Sequence, residues 1–323
     1  MRAVHVTRLD GPEAVEIVDL PQPTAPDGQL LIQVARAGVS FPDLLLTRGE
    51  YQIRPDLPFV PGAEVSGTVV SAPADSGFTA GDRVAAFPGF GGFAEFATAS
   101  TDFVFPLPDD MSFDVAAALP MNYLTCLFGL LQRGGLQAGE TVLVHGAAGG
   151  IGTAAIQVAK ASGATVIAVT STPEKGEVAR AAGADEVVAA DGFLAAVKDL
   201  TGGRGVDIIV DPVGGDRFTD SLRSLATLGR LLVIGFTHGE IPQVKVNRLL
   251  LNNVSVVGVG WGAYWASRPH VVRAQWDQLM TLAGTGAIDP PIDQVLPLSD
   301  AGTAIGRLGT RTVTGKLLLD PTR

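Results

Sequence analysis

The residues with the clearest chemistry lie in the run Ala147-Ala148-Gly149-Gly150-Ile151-Gly152. It follows the short apolar segment TVLVHG and opens a stretch, 151–162, with helical spacing: Ile151, Ala155 and Val158/Ala159 fall on one face. The run fits a G-x-G-x-x-G turn in which Ala147 stands for the first glycine. Gly149 lets the backbone come close to a pyrophosphate, and Gly152 lets the helix pack tightly on the strand. The helix N-terminus then presents N–H groups and the positive end of its dipole to the phosphates. A preceding strand and a following amphipathic helix are the context that gives such a turn its meaning. Ala148, Gly149, Gly150 and Ile151 are therefore the expected dinucleotide contacts.

The next strand, TVIAVT, ends at Thr170-Ser171-Thr172, where a site for NAD usually carries a carboxylate about 20 residues beyond the turn. No carboxylate stands at this tip, and Lys175 follows, with Glu174 beside it. Hydroxyls and an ammonium suit a ribose 2′-phosphate. The expectation is NADPH, held by Thr170, Ser171 and Lys175. Ligands of doubly wound sheets bind at the carboxyl ends of strands. Asp211-Pro212-Val213-Gly214-Gly215 after VDIIV and Phe236-Thr237 after RLLVIG are candidate loops for that reason. Val213, Phe236 and Thr237 are assigned to the cofactor, and both loops also have ordinary turn chemistry.

These residues need two kinds of scaffold. Residues 1–120 read as short strands (AVEIVDL, QLLIQVARAGV, EVSGTVVSA, DRVAAF, EFATAS) between turns such as Pro26-Asp27-Gly28. Residues 121–262 alternate strand and helix, with EVVAA, VDIIVD, RLLVIGF and NVSVVGVG completing a parallel, doubly wound sheet. Residues 263–323 hold a helix near 268–284, then VLPLSDA and GKLLL, which are expected to return to the first domain. Length alone agrees with about two domains in 323 residues.

Composition narrows the function. Apolar residues make up 46% and charged residues 17%, enough for a large core. A net charge of −10 disfavours nucleic acid and anionic membranes as general partners. One cysteine, Cys126, excludes an internal disulfide and a multi-cysteine metal cage. The apolar stretch from Val115 to Leu131 is interrupted by Pro120, Asn122 and Thr125, and MRAVHVTRLD shows no apolar signal core. A cytoplasmic protein is expected.

The ordered set AGVSFPDLLLTRGEY, PFVPGAEVSGTV, GDRV, AAALPMNYLTC, HGAAGGIGTAAIQVAK and VTGKLLL resembles the zinc-independent quinone oxidoreductases of the medium-chain dehydrogenase/reductase superfamily, along essentially the whole chain. The resemblance implies an α/β protein with a GroES-like β domain, a Rossmann domain and a cleft between them. It also implies NADPH and a homodimer. The zinc-dependent alcohol dehydrogenases of that superfamily have Cys and His at the positions of Ser40 and Ala63. Glu64 alone cannot supply the three protein ligands of a catalytic zinc, so no metal is expected. Hydride transfer without a Lewis acid suits substrates that are already electrophilic, a quinone or an enone.

The resemblance also assigns side chains. Tyr51 matches a cleft tyrosine able to hydrogen-bond a quinone oxygen; its alternative is half-buried packing. Leu45 replaces a second tyrosine common in the family. Ser40 stands where many relatives have Asn beside the nicotinamide ribose. Asn122 and Thr125 fall in PMNYLTC, Thr125 at the nicotinamide end, and Tyr123 is a candidate cleft wall. Lys316 matches a lysine near the cofactor. Tyr51, Ser40 and Asn122 are the catalytic candidates. Cys126 and His145 read as core residues, and Trp261, Tyr264 and Trp265 as packing or interface. NVSVVGVG, an apolar edge, suits pairing with its twin in a C2 dimer. An enoyl-thioester or enone reductase, and a non-catalytic NADPH-binding protein, are the alternative functions.

Overall fold

Turn-punctuated alternation in the N-terminal third produces β1 (Arg2–Val6), β2 (Val15–Asp19), β3 (Gln29–Val39), β4 (Glu64–Ser71), β5 (Arg83–Ala86), β6 (Phe96–Ser100) and β7 (Val104–Pro106). The computed structural model describes residues 1–323. It forms two units: Met1–Met121, Pro269–Arg273 and Ile292–Arg323 make the first, and Asn122–Arg268 with Ala274–Pro291 the second. Helices α1 (Phe41–Thr47) and α2 (Phe113–Ala118) belong to the first unit, and α3 (Pro120–Leu127) begins in it.

The centre of the first unit is β3, whose apolar positions are almost all buried. It pairs antiparallel with β4 on one side, and with the C-terminal strand on the other. That strand, numbered β15 below, carries the sequence KLLLD and is buried along its length. The sheet core gathers Leu30, Ile32, Val34, Val65, Phe93, Leu317 and Leu319. Strands far apart in sequence are thus neighbours, and the ends of three of them, β3, β4 and the C-terminal strand, lie side by side.

The second unit contains β8 (Thr141–Val144), α4 (Gly150–Ala161), β9 (Thr165–Thr170), α5 (Pro173–Ala181), β10 (Glu186–Ala189), α6 (Phe193–Leu200), β11 (Val206–Asp211), α7 (Phe218–Ser224), β12 (Leu225–Val233), α8 (Asn247–Asn252), β13 (Ser255–Gly258) and α9 (Trp261–Trp265). Most of α10 (Val271–Ala283) also lies there; the chain touches the first unit briefly at Pro269–Arg273 and returns to it for the rest of its length at Ile292. It proceeds through β14 (Ile292–Pro297), α11 (Ala301–Gly309) and β15 (Lys316–Asp320).

All six strands of the second unit run parallel, in the order β10-β9-β8-β11-β12-β13. β9 and β11 are near-continuous apolar runs because both faces of a parallel sheet are covered. The order reverses between β8 and β11, which is where such sheets open a crevice for ligands. The interrupted apolar stretch around Val115 to Leu131 is helical on both sides of a bend at Leu119: Ser112 caps α2 by accepting from Val115 N, and α3 runs on into a π-helical segment, Phe128–Arg133. No helix is long and apolar enough to cross a membrane.

Candidate functional site

The glycine turn sits between β8 and α4, at the point of strand reversal. Gly149 is the extended residue just before the helix. A Cβ on Gly152 would lie 2.2 Å from the carbonyl oxygen of Gly146 and 2.6 Å from Ala147 Cα. Glycine is required there by the close approach of helix to turn. Gly149 is different: a Cβ would come no nearer than 3.5 Å to Gly146 O. Nothing in the protein fills that space, and the first-turn amides of α4 have no intrahelical acceptors. A small residue held open beside a helix N-terminus fits a pyrophosphate. Ala148 is buried, whereas Gly149, Gly150 and Ile151 remain partly accessible.

At the end of β9, Thr170 is buried, Ser171 and Thr172 are exposed, and Lys175 is half-buried. Thr172 is the N-cap of α5, its hydroxyl oxygen accepting from Lys175 N at 3.3 Å. Glu174 folds onto the same helix start. Its own backbone N–H and the Thr172 hydroxyl hold its carboxyl below the usual carboxylate range. The sequence names both charges at this tip; the structure adds that the anionic one is held at the helix start by the Thr172 hydroxyl.

The loops after β11 and β12 are tied to one another. Asp211 accepts from Val213 N and Gly214 N, each at 2.9 Å, while Thr237 N and His238 N donate to the carbonyls of Pro212 and Val213. Val213 packs at the turn, its Cγ2 lying 3.2 Å from where a Cβ of Gly146 would be. Phe236 is 36% exposed, a large apolar ring left open beside this loop.

In α3, Asn122 and Thr125 are buried. Tyr123 is an internal tie: its hydroxyl donates to Gln157 Oε1 at 2.7 Å, and Gln157 in turn donates to the carbonyl of Asp289. That bond turns Tyr123 inward, and its side chain is fully buried. Burial pushes the Cys126 thiol far up, so it is an unreactive core residue. His145 is buried, with Nε2 2.9 Å from Ser221 Oγ, yet Nδ1 has no partner. Burial lowers its pKa to about 4, opposed by Asp211 and assisted by Arg217. The core placement agrees with the sequence reading, but only one ring nitrogen is satisfied. Trp261 donates to Gln275 and Tyr264 stacks on Phe128, so this aromatic group is packing within its unit.

In the first unit, Tyr51 packs against the apolar cluster of Val6, Leu46 and Phe59. Burial, and then the charge of Asp43, raise its pKa above that of an ordinary phenol. The phenol therefore keeps its proton at neutral pH. Ser40 and Lys316, 276 positions apart, meet directly: Lys316 Nζ donates to Ser40 Oγ at 2.6 Å. Both also donate to Glu64, Ser40 at 2.9 Å and Lys316 in a short ion pair. Glu64 Oε2 accepts from Met121 N at 2.7 Å. Asp43, fully buried, accepts from Ser40 N and Gly62 N. Sequence reasoning missed Asp43, and saw Glu64 only as a remnant of a metal site. The one local signal was Asp43 three residues after Ser40 at the start of a helix, the spacing of a capping pair. No group of three or more His, Cys, Asp or Glu side chains is arranged to hold a metal.

Comparison with known proteins agrees with this layout. Residues 26–109 match the alcohol dehydrogenase GroES-like domain, and residues 150–283 match a family described as zinc-binding dehydrogenase. The chain is 39% identical over 322 residues to quinone oxidoreductase-like protein 2 of Bos taurus, covering 98% of this chain and 92% of that one. A mycobacterial protein solved in complex with NADPH superposes with a TM-score of 0.93 at 34% identity, covering 99% of this chain and 100% of that one. The Escherichia coli quinone oxidoreductase complexed with NADPH superposes with a TM-score of 0.90 at 28% identity, with 99% and 100% covered. With a GroES-like unit, a six-stranded dinucleotide unit and relatives aligned from end to end, the chain belongs to the quinone oxidoreductase family of the medium-chain dehydrogenase/reductase superfamily.

Proposed function

We propose that this protein is an NADPH-dependent reductase of quinones or related conjugated carbonyls that works by direct hydride transfer. The observation that carries the reading is the β8–α4 turn, open at Gly149 and closed at Gly152, followed by a β9 tip without a carboxylate. In two of the similar structures the bound cofactor is NADPH. When bound, NADPH supplies the hydride. The chain's own groups supply the rest. Amides at Ala148, Gly150 and Ile151 hold the pyrophosphate, and Gly149, whose own N–H donates to Gly146 O, gives it room against the backbone, while Thr170, Ser171 and Lys175 hold the 2′-phosphate. Val213, Phe236, Thr237 and Thr125 serve the nicotinamide half. Tyr51 donates a hydrogen bond to the substrate oxygen, where negative charge develops. Asn122 and Ser40 orient the reacting groups.

A conjugated carbonyl is favoured because the residues at the metal-ligand positions are Ser40 and Ala63, and Glu64 is engaged by Lys316 and Ser40. Such substrates spread negative charge over their own conjugated system. Anaerobic NADPH oxidation against a quinone panel and an enoyl-thioester panel tests the reading. Turnover of quinones is expected; preference for the thioester, or NADPH binding without turnover of either panel, overturns it.

The partner on this reading is a second copy. β13 pairs only with β12 and is partly exposed, and Val246, Leu250 and Leu251 nearby in sequence are each about three-quarters exposed. Pairing of two β13 edges would cover a strand that otherwise invites aggregation. Sedimentation should give twice the chain mass of 33.3 kDa, and a change of Leu250 and Leu251 to Glu should halve it.

A further inference from the structure

Three strand ends converge in the first unit. Ser40 directly follows β3, Lys316 begins β15, and Glu64 begins β4. The registers Leu317↔Val39 and Gly38↔Glu64 bring these ends side by side. Ser40 is 5% exposed, Lys316 3% and Glu64 0%. The backbone makes room for them: a Cβ on Gly38 would lie 2.7 Å from Glu64 Cγ and 2.9 Å from its Cδ. Glycine at 38 lets the Glu64 side chain cross β3 toward Ser40.

The hydrogen-bond inventory of these three groups has one solution. An ammonium only donates, an ionised carboxylate only accepts, and a serine hydroxyl has a single proton and two lone pairs. Lys316 donates to Ser40, so Ser40 accepts there. Ser40 donates to Glu64, so its proton is spent. Glu64 accepts from Lys316, Ser40 and Met121 N, which holds the carboxylate in place. Asp43 takes the Ser40 N–H and fixes the backbone of the same residue. The Asp43 N–H, which faces Ser40 in the capping box, donates to the Ser40 carbonyl at 2.9 Å and not to its hydroxyl, so what Ser40 has left is one lone pair.

We propose that Lys316 is a positioning residue: with Glu64 it fixes the direction of the Ser40 hydroxyl, so that Ser40 meets its ligand as a hydrogen-bond acceptor and never as a proton donor. The inference rests on the reading of Ser40 as a ligand-orienting group given above. It deepens that reading by naming the chemistry Ser40 can recognise. An acceptor selects an O–H or N–H of the ligand. The ribose hydroxyls and carboxamide of a reduced nicotinamide nucleotide offer such donors; a quinone oxygen does not. Of the three catalytic candidates, Asn122 carries no acidic proton and the Ser40 proton is engaged, so Tyr51 is left to serve the substrate oxygen.

The test uses the intact chain. Lys316→Met alone strands a buried carboxylate, so the informative variant is Lys316→Met/Glu64→Gln, compared with Ser40→Ala and with the triple variant. NADPH affinity is read by fluorescence titration and turnover by steady-state kinetics. Both the paired variant and Ser40→Ala should weaken NADPH binding about fivefold, with quinone KM unchanged, and the triple variant should add less than about twofold. Multiplying losses in the triple variant would mean that Lys316 acts independently of Ser40, and overturn the proposal. So would a rise in quinone KM on Ser40→Ala with NADPH affinity unchanged. A wild-type protein that binds no NADPH would instead defeat the functional reading. The positioning claim would then be decided by urea unfolding of the same variants: non-additive stability changes support a Lys316–Ser40 coupling, and additive ones sink it.

Discussion

The dinucleotide turn of the second unit and the ionic cluster of the first solve opposite problems. The turn is made of backbone and small residues; its chemistry is what remains when side chains are absent. The cluster packs two carboxylates, an ammonium and a hydroxyl into a site with almost no solvent exposure. One site is open to a ligand because nothing fills it. The other is ordered because every group in it is bonded. Damage should therefore differ in emphasis: the larger loss is of binding in the second unit and of stability in the first.

The largest effect is expected from Lys316→Met, which leaves Glu64 buried without its cation. Removing one partner of a buried pair costs about 3–5 kcal/mol. Changing Glu64 to Gln at the same time should recover most of that loss in urea unfolding. If the single variant is as stable as wild type, the cluster is not the fixed element described here. Gly152→Ala comes next. Its Cβ would lie 2.2 Å from Gly146 O, so helix and turn must separate. Overpacking of this kind costs about 1–3 kcal/mol. A turn displaced by about an ångström should lower kcat/KM with NADPH on the order of 100-fold, measured by steady-state kinetics. Wild-type kcat/KM in this variant would break the contrast between the two sites.

The same contrast explains what could be read from the sequence. The turn is contiguous, and its strand–glycine–helix pattern is local, so spacing exposes both the fold and the residues that would touch phosphate. β3, β4, β9, β11 and the last strand were all legible from alternation or apolar runs. The cluster is assembled from positions 40, 43, 64 and 316, joined only by strand register. No periodicity couples Ser40 to Lys316. Read alone, Lys316 is a solvated lysine and Glu64 a leftover acid; the sheet makes them a pair. Tyr123 illustrates the same limit, since its bond to Gln157 depends on helix placement. Glu174 was visible, but its return to the Thr172 hydroxyl was not.

Each unit also buries a titratable group whose pKa burial displaces, Asp43 in the first and His145 in the second, and the two should respond to pH in opposite directions. Asp43 is raised to about 7, chiefly by burial, with its Ser40 and Gly62 hydrogen bonds and Lys316 pulling the other way. The folded first unit then holds a proton that the unfolded chain releases above about 4. Its stability should fall as pH rises from about 4 to 7. His145 is lowered to about 4, so between about 4 and 6.5 the unfolded chain binds the extra proton. Stability of the second unit should rise with pH across that window. Each slope amounts to something on the order of 2 kcal/mol between pH 4.5 and 6.5. All three tryptophans, Trp261, Trp265 and Trp276, lie in the second unit, so tryptophan fluorescence reports its unfolding. Hydrogen exchange at β3 and β4 reports the first. Parallel trends in the two probes would show that burial does not dominate one of these groups.

The smallest effect is expected at the exposed tip of β9, where two opposite charges share the first turn of α5. Lys175 would attract a 2′-phosphate, and Glu174, held at the helix start by the Thr172 hydroxyl, would repel it. Both act through solvent, so each contributes modestly. Lys175→Ala should lower the preference for NADPH over NADH about fivefold, and Glu174→Gln should raise it about twofold, because an anion at a helix N-terminus competes with a phosphate for the same positive end. The ratio of kcat/KM for the two cofactors measures both, and raising the salt concentration should shrink both. A preference unmoved by Lys175→Ala would shift 2′-phosphate recognition to the hydroxyls of Thr170 and Ser171. The open site of the second unit would then be built from uncharged groups throughout, which would widen its contrast with the ionic cluster of the first.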